Sequence, residues 1–235
     1  PAPLDAAIAS AAQRIRAVTL ARGAGAVAGV ASAHATNEDL FSFRRLLAAL
    51  GVEHTGVAVP RGEPDALLVK EEKAANAEGA RALGFDDARA VCDALRSGSV
   101  AALICMGHDL LAEAYLGDAS ALAQLDALIV LDSQHSPLQR VAHAMLPTRH
   151  AAEREGPLTN HAGRVQRTRA AVEPAFEALA AGDVAFRLGR ELGLTGFDAA
   201  YDARAVSKEL AQAEPAFADI DLDTLGEYGR PLSGR

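Results

Sequence analysis

The chain has 235 residues, of which 50% are apolar and 23% charged, and its formal net charge is −8 at pH 7. An acidic chain of this kind lacks the basic patches that nucleic acids and anionic membranes require, so we expect no nucleic-acid binding. No uncharged apolar run reaches the ~18 residues of a membrane span, and we therefore expect no direct membrane insertion.

The first third of the chain has the pattern of one half of a βαβ unit. Residues 4–22 are rich in alanine and have the spacing of an amphipathic helix, and the apolar run 26–32 predicts a buried strand. Thr36 is a typical N-cap, and acidic side chains follow it in the first helical turn, where the helix dipole favours them. A strand, a loop and a helix ending at Gly51 are therefore expected here.

Apolar runs and helical patterns continue to alternate as far as Pro147. The further predicted strands are 56–59, 100–106, 127–131 and 144–146; the predicted helices run from Asp86 or Asp87 to about Arg96, over 119–125 and over 137–142, and 61–79 is a predicted surface loop. Fully apolar strands separated by helices predict an α/β, doubly wound, mostly parallel sheet with right-handed crossovers.

The alternation of apolar runs and helical patterns ends after Pro147. A polar stretch leads to a predicted exposed strand at 164–172; helices are predicted at 176–192 and 203–213, and a tail at 226–235. We therefore divide the chain into an N-terminal helix (1–22), a Rossmann-like domain (23–175) and a helical C-terminal extension (176–235).

The two cysteines, Cys92 and Cys105, are too few for an iron–sulfur cluster, which usually needs four thiolates. Cys105 lies inside a predicted apolar strand, and Cys92 lies on a predicted helix, so we expect two buried free thiols. The low cysteine content favours a reducing compartment such as the cytoplasm. The seven histidines lack the spacing of zinc ligands, and no metal site is expected.

Ligands of doubly wound proteins usually bind outside the carboxyl ends of the strands, and three residues stand at such ends. Gly107 and His108 follow one predicted strand, and Asp132 follows the next. Glycine allows a ligand to approach the backbone closely, and a carboxylate accepts hydrogen bonds from amines and hydroxyls. The same residues also suit a tight turn after the first strand and a capped turn after the second, so both interpretations stay open.

The segment 142–166 reads AHAMLPTRHAAEREGPLTNHAGRVQ. It has no catalytic pattern of its own, and we interpret it as an ordered clasp rather than a catalytic loop. Its polar side chains are expected to satisfy one another and the backbone: Glu153, Arg154, Glu155, Asn160 and Arg164.

This segment resembles the molybdopterin oxidoreductase family, in which an ADVVLP strand is followed by E..GT.TN.EGRVQ. Residues 142–147 match the first element and residues 155–166 the second. Residues 36–38, Thr-Asn-Glu, resemble the TNEE helix start of the family, and 76–80 resembles the N..GA segment of its NADH:quinone oxidoreductase branch. The chain departs from the family at 107–110, where the Asn and Pro of GxNP are missing.

The resemblance implies the C-terminal-side portion of the large peripheral-arm subunit of an NADH:quinone oxidoreductase, a portion that is not catalytic alone. That branch generally keeps this domain without a cofactor, so no cofactor is expected in this chain, and iron–sulfur clusters are expected only in a missing N-terminal part. The implied partners are other subunits of a respiratory complex at the cytoplasmic side of the membrane. The cofactor-binding positions that match the family, expected to be vestigial, are Gly107, His108, Asp132, Asn160 and Arg164.

Two other functions remain open at this point. The first is a fragment of an oxidoreductase that depends on molybdopterin guanine dinucleotide, such as a formate dehydrogenase or nitrate reductase, in which the strand-end loops would bind the guanosine half of the cofactor. The second is a stand-alone small-molecule binding module, since the fold alone does not separate these functions.

Overall fold

The computed structural model describes residues 2–174 and 176–234. Its centre is a five-stranded parallel sheet with the strand order β2-β1-β3-β4-β5. The strands are β1 (Val27–Ser32), β2 (His54–Ala58), β3 (Ala102–Met106), β4 (Ala127–Asp132) and β5 (Ala144–Pro147). Every residue of β1, β3 and β4 is buried, which explains their unbroken apolar runs. The predicted α/β class with a mostly parallel sheet is confirmed.

Within the described residues, six helices accompany the sheet: α1 (Leu4–Arg22), α2 (Asn37–Ala49), α3 (Ala77–Ala82), α4 (Arg89–Ser97), α5 (Ala181–Glu191) and α6 (Ala203–Ala213). Alternate residues of each strand point into two separate hydrophobic cores. Ile104 packs with α1, α2, α5 and α6, whereas Leu103 and Cys105 pack with α4 and the loops around Leu122. Both faces of the sheet are therefore covered.

The helices at the two ends of the chain belong to the same core as the sheet. Ile8 and Ile15 of α1 are fully buried, and α1 packs against α5, β4 and β5. Leu210 of α6 is buried, and α6 packs against α2. Pro1, Ala175 and Arg235, at which the predicted domain limits fall, lie outside the described residues.

A second, antiparallel sheet follows the first. It consists of β6 (Gly156–Thr159), β7 (Arg164–Thr168) and β8 (Arg230–Pro231) in that order. The prediction of a simple tail over 226–235 was therefore wrong, because β8 pairs with β7 and Leu232 N–H donates to the Gly163 carbonyl at 2.8 Å. Gly229 makes this pairing possible, since a Cβ there would lie 2.0 Å from the Val165 carbonyl oxygen.

Three helix predictions were wrong in extent. The segments 119–125 and 137–142 contain only the short 3₁₀ turns Ser120–Leu122 and Pro137–Arg140, since a helix this short does not repay the cost of its nucleation. The helix predicted from residue 176 begins at Ala181, because Leu179 is engaged in a β-bridge with Thr148. None of the described helices is long and apolar enough to cross a membrane.

Candidate functional site

The carboxyl ends of β1, β3, β4 and β5 open into a cavity of about 340 Å³. Parallel sheets bind ligands at this edge, and the volume lies at the lower end of the range for small-molecule sites. Three of the five residues predicted from the sequence line the cavity: Gly107, His108 and Asp132. The polar side chains that join them are Ser32, His34, Asp109, Ser133, Gln134, Thr148, Arg149, His150 and Arg154.

Asp132 is the last residue of β4, and its side chain is only 5% exposed. Its Oδ2 lies 2.8 Å from Nδ1 of His108, and its Oδ1 accepts the backbone N–H of Gln134 at 3.1 Å. Both carboxylate oxygens are therefore engaged within the protein. The contact with Gln134 shows that Asp132 caps the turn after β4, which is one of the two interpretations left open by the sequence.

Gly107 forms the turn after β3. Its φ of +69° is a left-handed conformation that favours glycine, and its N–H donates to the Leu131 carbonyl at 2.7 Å. The chain then enters a single 3₁₀ turn, Asp109–Leu111, instead of an α-helix. The tight-turn interpretation therefore holds for this loop, and its first N–H is already bonded.

A second carboxyl lies in the same cavity. The hydroxyl of Ser32 donates to Oδ2 of Asp109 at 3.4 Å, and His34 N–H donates to that hydroxyl at 3.2 Å. Burial raises the pKa of Asp109 above its usual value, and the nearby His34 and His108 partly offset this effect. The cavity thus contains a desolvated acid beside an ordered His–Asp pair.

Two arginines also line the cavity, although neither was predicted from the sequence to lie there. Arg154 donates to the backbone carbonyl of His34, and burial lowers its pKa, an effect that Asp39 partly offsets. Arg149 donates through Nε to the Ala178 carbonyl at 3.3 Å. Both arginines follow β5, which lies at the edge of the sheet beside β4. Both arginines reach the cavity because of the order of the strands in the sheet, and no local pattern in the sequence predicts that order.

The other two predicted site residues, Asn160 and Arg164, lie in the β6–β7 hairpin and do not line the cavity. Oδ1 of Asn160 accepts the N–H groups of Ala162 and Arg164 at 3.0 and 3.1 Å, and its Nδ2 donates to Gln166 at 2.9 Å. The Arg164 guanidinium donates to the carbonyl of Gly229 at 3.0 Å. Asn160 thus holds the hairpin turn, and Arg164 holds the segment before β8.

The expected clasp forms with different partners. Arg167, and not Arg164, pairs with Glu155, because the hairpin register sets Arg167 opposite Pro157. Glu153 accepts the backbone N–H of His150 at 2.9 Å and caps its own turn. The expectation that the predicted side chains satisfy the backbone is confirmed for Glu153, Arg154, Asn160 and Arg164, whereas the expectation that they also satisfy one another was wrong.

Truncating the hairpin residues is expected to destabilise the chain modestly. Asn160→Ala removes the acceptor of two N–H groups, but water reaches this half-exposed turn, so the cost is about 1 kcal/mol. Arg164→Ala is expected to make the segment around Gly229 more susceptible to proteolysis, with a smaller loss of unfolding free energy than Asn160→Ala. Thermal melting and limited proteolysis measure both, and two variants that behave like the parent would contradict the clasp interpretation.

A buried amide network joins the segments that carry the family-like motifs. Nδ2 of Asn37 donates to Oγ1 of Thr159 at 3.1 Å; Thr159 N–H donates to Oδ1 of Asn76 at 2.6 Å, and Nδ2 of Asn76 donates to the Ala35 carbonyl at 2.8 Å. All three side chains belong to fully buried residues. The network ties the starts of α2 and α3 to the end of β6, beside the cavity, so these motifs have a structural role here.

Nucleophilic and metal chemistry find little support in the site. Cys92 and Cys105 are free and buried; burial raises the pKa of Cys92 to about 11 and the pKa of Cys105 even further. Among residues 2–174 and 176–234, no three His, Cys, Asp or Glu side chains are grouped so that they could hold a metal ion.

Similarity to known proteins is consistent with the α/β fold. The sequence pattern of the molybdopterin oxidoreductase family matches residues 71–189. The chain is 33% identical over 146 residues to the NADPH-Fe(3+) oxidoreductase subunit alpha of Geobacter sulfurreducens, covering 61% of this chain and 17% of that protein. It is 31% identical over 109 residues to the F420-dependent formate dehydrogenase 1 subunit alpha of Methanococcus maripaludis, covering 46% of this chain and 16% of that protein. The chain spans about a sixth of the length of these relatives. It belongs to the molybdopterin oxidoreductase family.

Proposed function

We propose that this chain is a structural α/β domain of the large subunit of an NADH:quinone oxidoreductase and that it works without a pterin cofactor. In this proposal the chain carries no redox chemistry alone, and its partners are other subunits of a respiratory complex at the cytoplasmic side of the membrane. Both relatives are named as alpha subunits of oxidoreductases, and one of them is named for NADPH. These names support membership in a multi-subunit oxidoreductase.

The observation that carries the proposal is the set of hydrogen bonds at the carboxyl ends of β3 and β4. A pyrophosphate group binds best to free N–H groups at a helix N-terminus. Here the N–H of Gly107 is bonded to Leu131, a single 3₁₀ turn replaces the helix, and the Asp109 carboxyl lies at its first position. The oxygens of Asp132 are engaged by His108 and Gln134. These contacts support the proposal that the strand ends do not hold the dinucleotide part of a pterin cofactor.

One observation favours the alternative, a fragment of an oxidoreductase that depends on molybdopterin guanine dinucleotide. Arg149 and Arg154 line the cavity, and each guanidinium donates to a backbone carbonyl, so an anionic ligand would complement their charge. The formate dehydrogenase relative is consistent with this alternative.

Calorimetric titration of the 235-residue chain with GDP separates the two functions, because GDP carries the guanosine and pyrophosphate parts of that cofactor. We expect no saturable heat up to millimolar GDP, and the same result with ADP. Submicromolar binding that prefers GDP to ADP and weakens in Arg149→Ala would place the guanosine end of a cofactor in the cavity and reject the scaffold proposal.

A further inference from the structure

The interface between α2 and α6 contains a carboxyl group that the proposed function does not use. Glu38 lies in the first turn of α2; it is 2% exposed, and both of its carboxyl oxygens are fully buried. No ion pair involving Glu38 forms among the described residues. Its polar neighbour is the hydroxyl of Ser207 on α6. A buried carboxyl without a cation is stable mainly in its neutral form.

Ser207 connects this carboxyl to the end of the chain. Ser207 is itself buried, and its Oγ accepts the backbone N–H of Leu222 at 3.0 Å. The segment beyond Leu222 returns to the antiparallel sheet, where β8 pairs with β7. Residues 203–232, which we call the C-terminal arm, are therefore linked to α2 through Glu38 and Ser207.

We propose that the neutral carboxyl of Glu38 is a latch that holds the C-terminal arm on α2, and that ionisation of this carboxyl releases the arm. The neutral carboxyl fits the apolar interface and meets the Ser207 hydroxyl. The ionised carboxyl needs water or a cation, and the arm must move away before water reaches it. The latch is a property of this chain and holds whether or not the proposed function is correct.

The charges around the latch oppose ionisation. Burial is the main cause that raises the pKa of Glu38 to about 8, and Asp39 raises it further, whereas the backbone N–H of Glu38 and the nearby Ser207 hydroxyl lower it. Burial is the main cause that raises the pKa of Tyr201, before α6, and the charges of Asp39, Glu38, Asp183 and Asp202 raise it further.

In the part of the chain that the structure describes, the arginines near Glu38 lie at the edges of the interface. Arg154, after β5, acts on Asp39. At the rim of the interface, Arg44 and Arg45 of α2 pair with Glu214 and Glu209 of the arm. They hold the arm loosely when the latch is open, since partly exposed ion pairs contribute little to stability.

The direction of the pH dependence follows from the two states of the arm. With the arm closed, the pKa of Glu38 is about 8, and with the arm released it returns to its ordinary value of 4.5. Release of the arm therefore frees a proton between these values. The equilibrium constant for release should rise up to about tenfold for each pH unit in that window and level off above it.

Hydrogen exchange of the intact chain at pH 5.5, 6.5 and 7.5 tests the latch. We expect the protection factors of α6 to fall up to about tenfold per pH unit, whereas those of β3 and β4 change little. Glu38→Gln, which stays neutral, should abolish the slope in α6. Glu209→Gln removes an exposed ion pair of the same interface and should keep the slope.

Two results would overturn the latch. If protection in β3 and β4 falls in parallel with that in α6, Glu38 acts on global stability and not on the arm. If the slope in α6 persists in Glu38→Gln, another group is responsible. The parent chain alone provides the first test, so the inference does not depend on the folding of a variant.

Discussion

Asn76→Ala should cost this protein roughly 2–6 kcal/mol of unfolding free energy, which is a large part of the stability of an ordinary domain. The side chain of Asn76 accepts the N–H of Thr159 and donates to the carbonyl of Ala35, and all of these groups are buried. Alanine leaves one donor and one acceptor without a partner in a site that water does not reach. Each orphaned group costs about 1–3 kcal/mol.

The hairpin variant Asn160→Ala is the matched control, since it also removes an asparagine that bonds to the backbone. Its turn is half-exposed, and we expect a loss of only about 1 kcal/mol. Urea denaturation followed by circular dichroism gives both free energies of unfolding. The comparison requires that the free energy falls equally steeply with urea concentration in both variants. Equal losses in the two variants would show that burial of the network does not set its contribution.

Gly79→Ala should destabilise the chain by about 3 kcal/mol through overpacking of the same network. A Cβ at Gly79 would lie 2.2 Å from Oδ1 of Asn76 and 2.3 Å from Oδ1 of Asn37. Both amides are held by hydrogen bonds to Thr159, so neither oxygen moves without breaking one. In an exposed helix, the same substitution would instead stabilise the protein.

Gly25→Ala is the control for this second variant, because a Cβ at Gly25 meets no atom within 4 Å. We expect its free energy of unfolding to stay within about 0.5 kcal/mol of the parent. A Gly79→Ala variant as stable as Gly25→Ala would mean that the starts of α2 and α3 separate easily. The amide network would then not be the rigid support of the cavity that its geometry indicates.

Features that depend on neighbours in the chain were predictable from the sequence. Thr36 caps α2 as expected: its hydroxyl accepts the N–H of Asp39 at 3.2 Å, and the Asp39 carboxylate accepts the N–H of Thr36 in return. The helix α6 has the predicted limits, and the apolar runs became β1, β3 and β4. Capping and periodic burial are decided within one or two turns, so the local sequence carries the information.

Part of the candidate site was also visible in the sequence. Gly107 and His108 follow β3, Asp132 is the last residue of β4, and the carboxyl ends of parallel strands share one edge. The assignment of Asn160 and Arg164 to that same site came from the family pattern alone. In the fold these two residues hold a hairpin whose partner strand, β8, lies more than sixty residues further along the chain.

The sequence by itself determined the α/β class, most of the helices and strands, and the residues that end the central strands. Only the tertiary structure decided which side chains face one another: Arg149 and Arg154 reach the cavity because β5 lies beside β4, and Asn37 meets Thr159 across 122 residues of chain. The position of Glu38 against α6 is of the same kind. Strand order and helix packing are set by the burial of the whole apolar surface at once, and no local pattern of residues encodes a contact between distant segments.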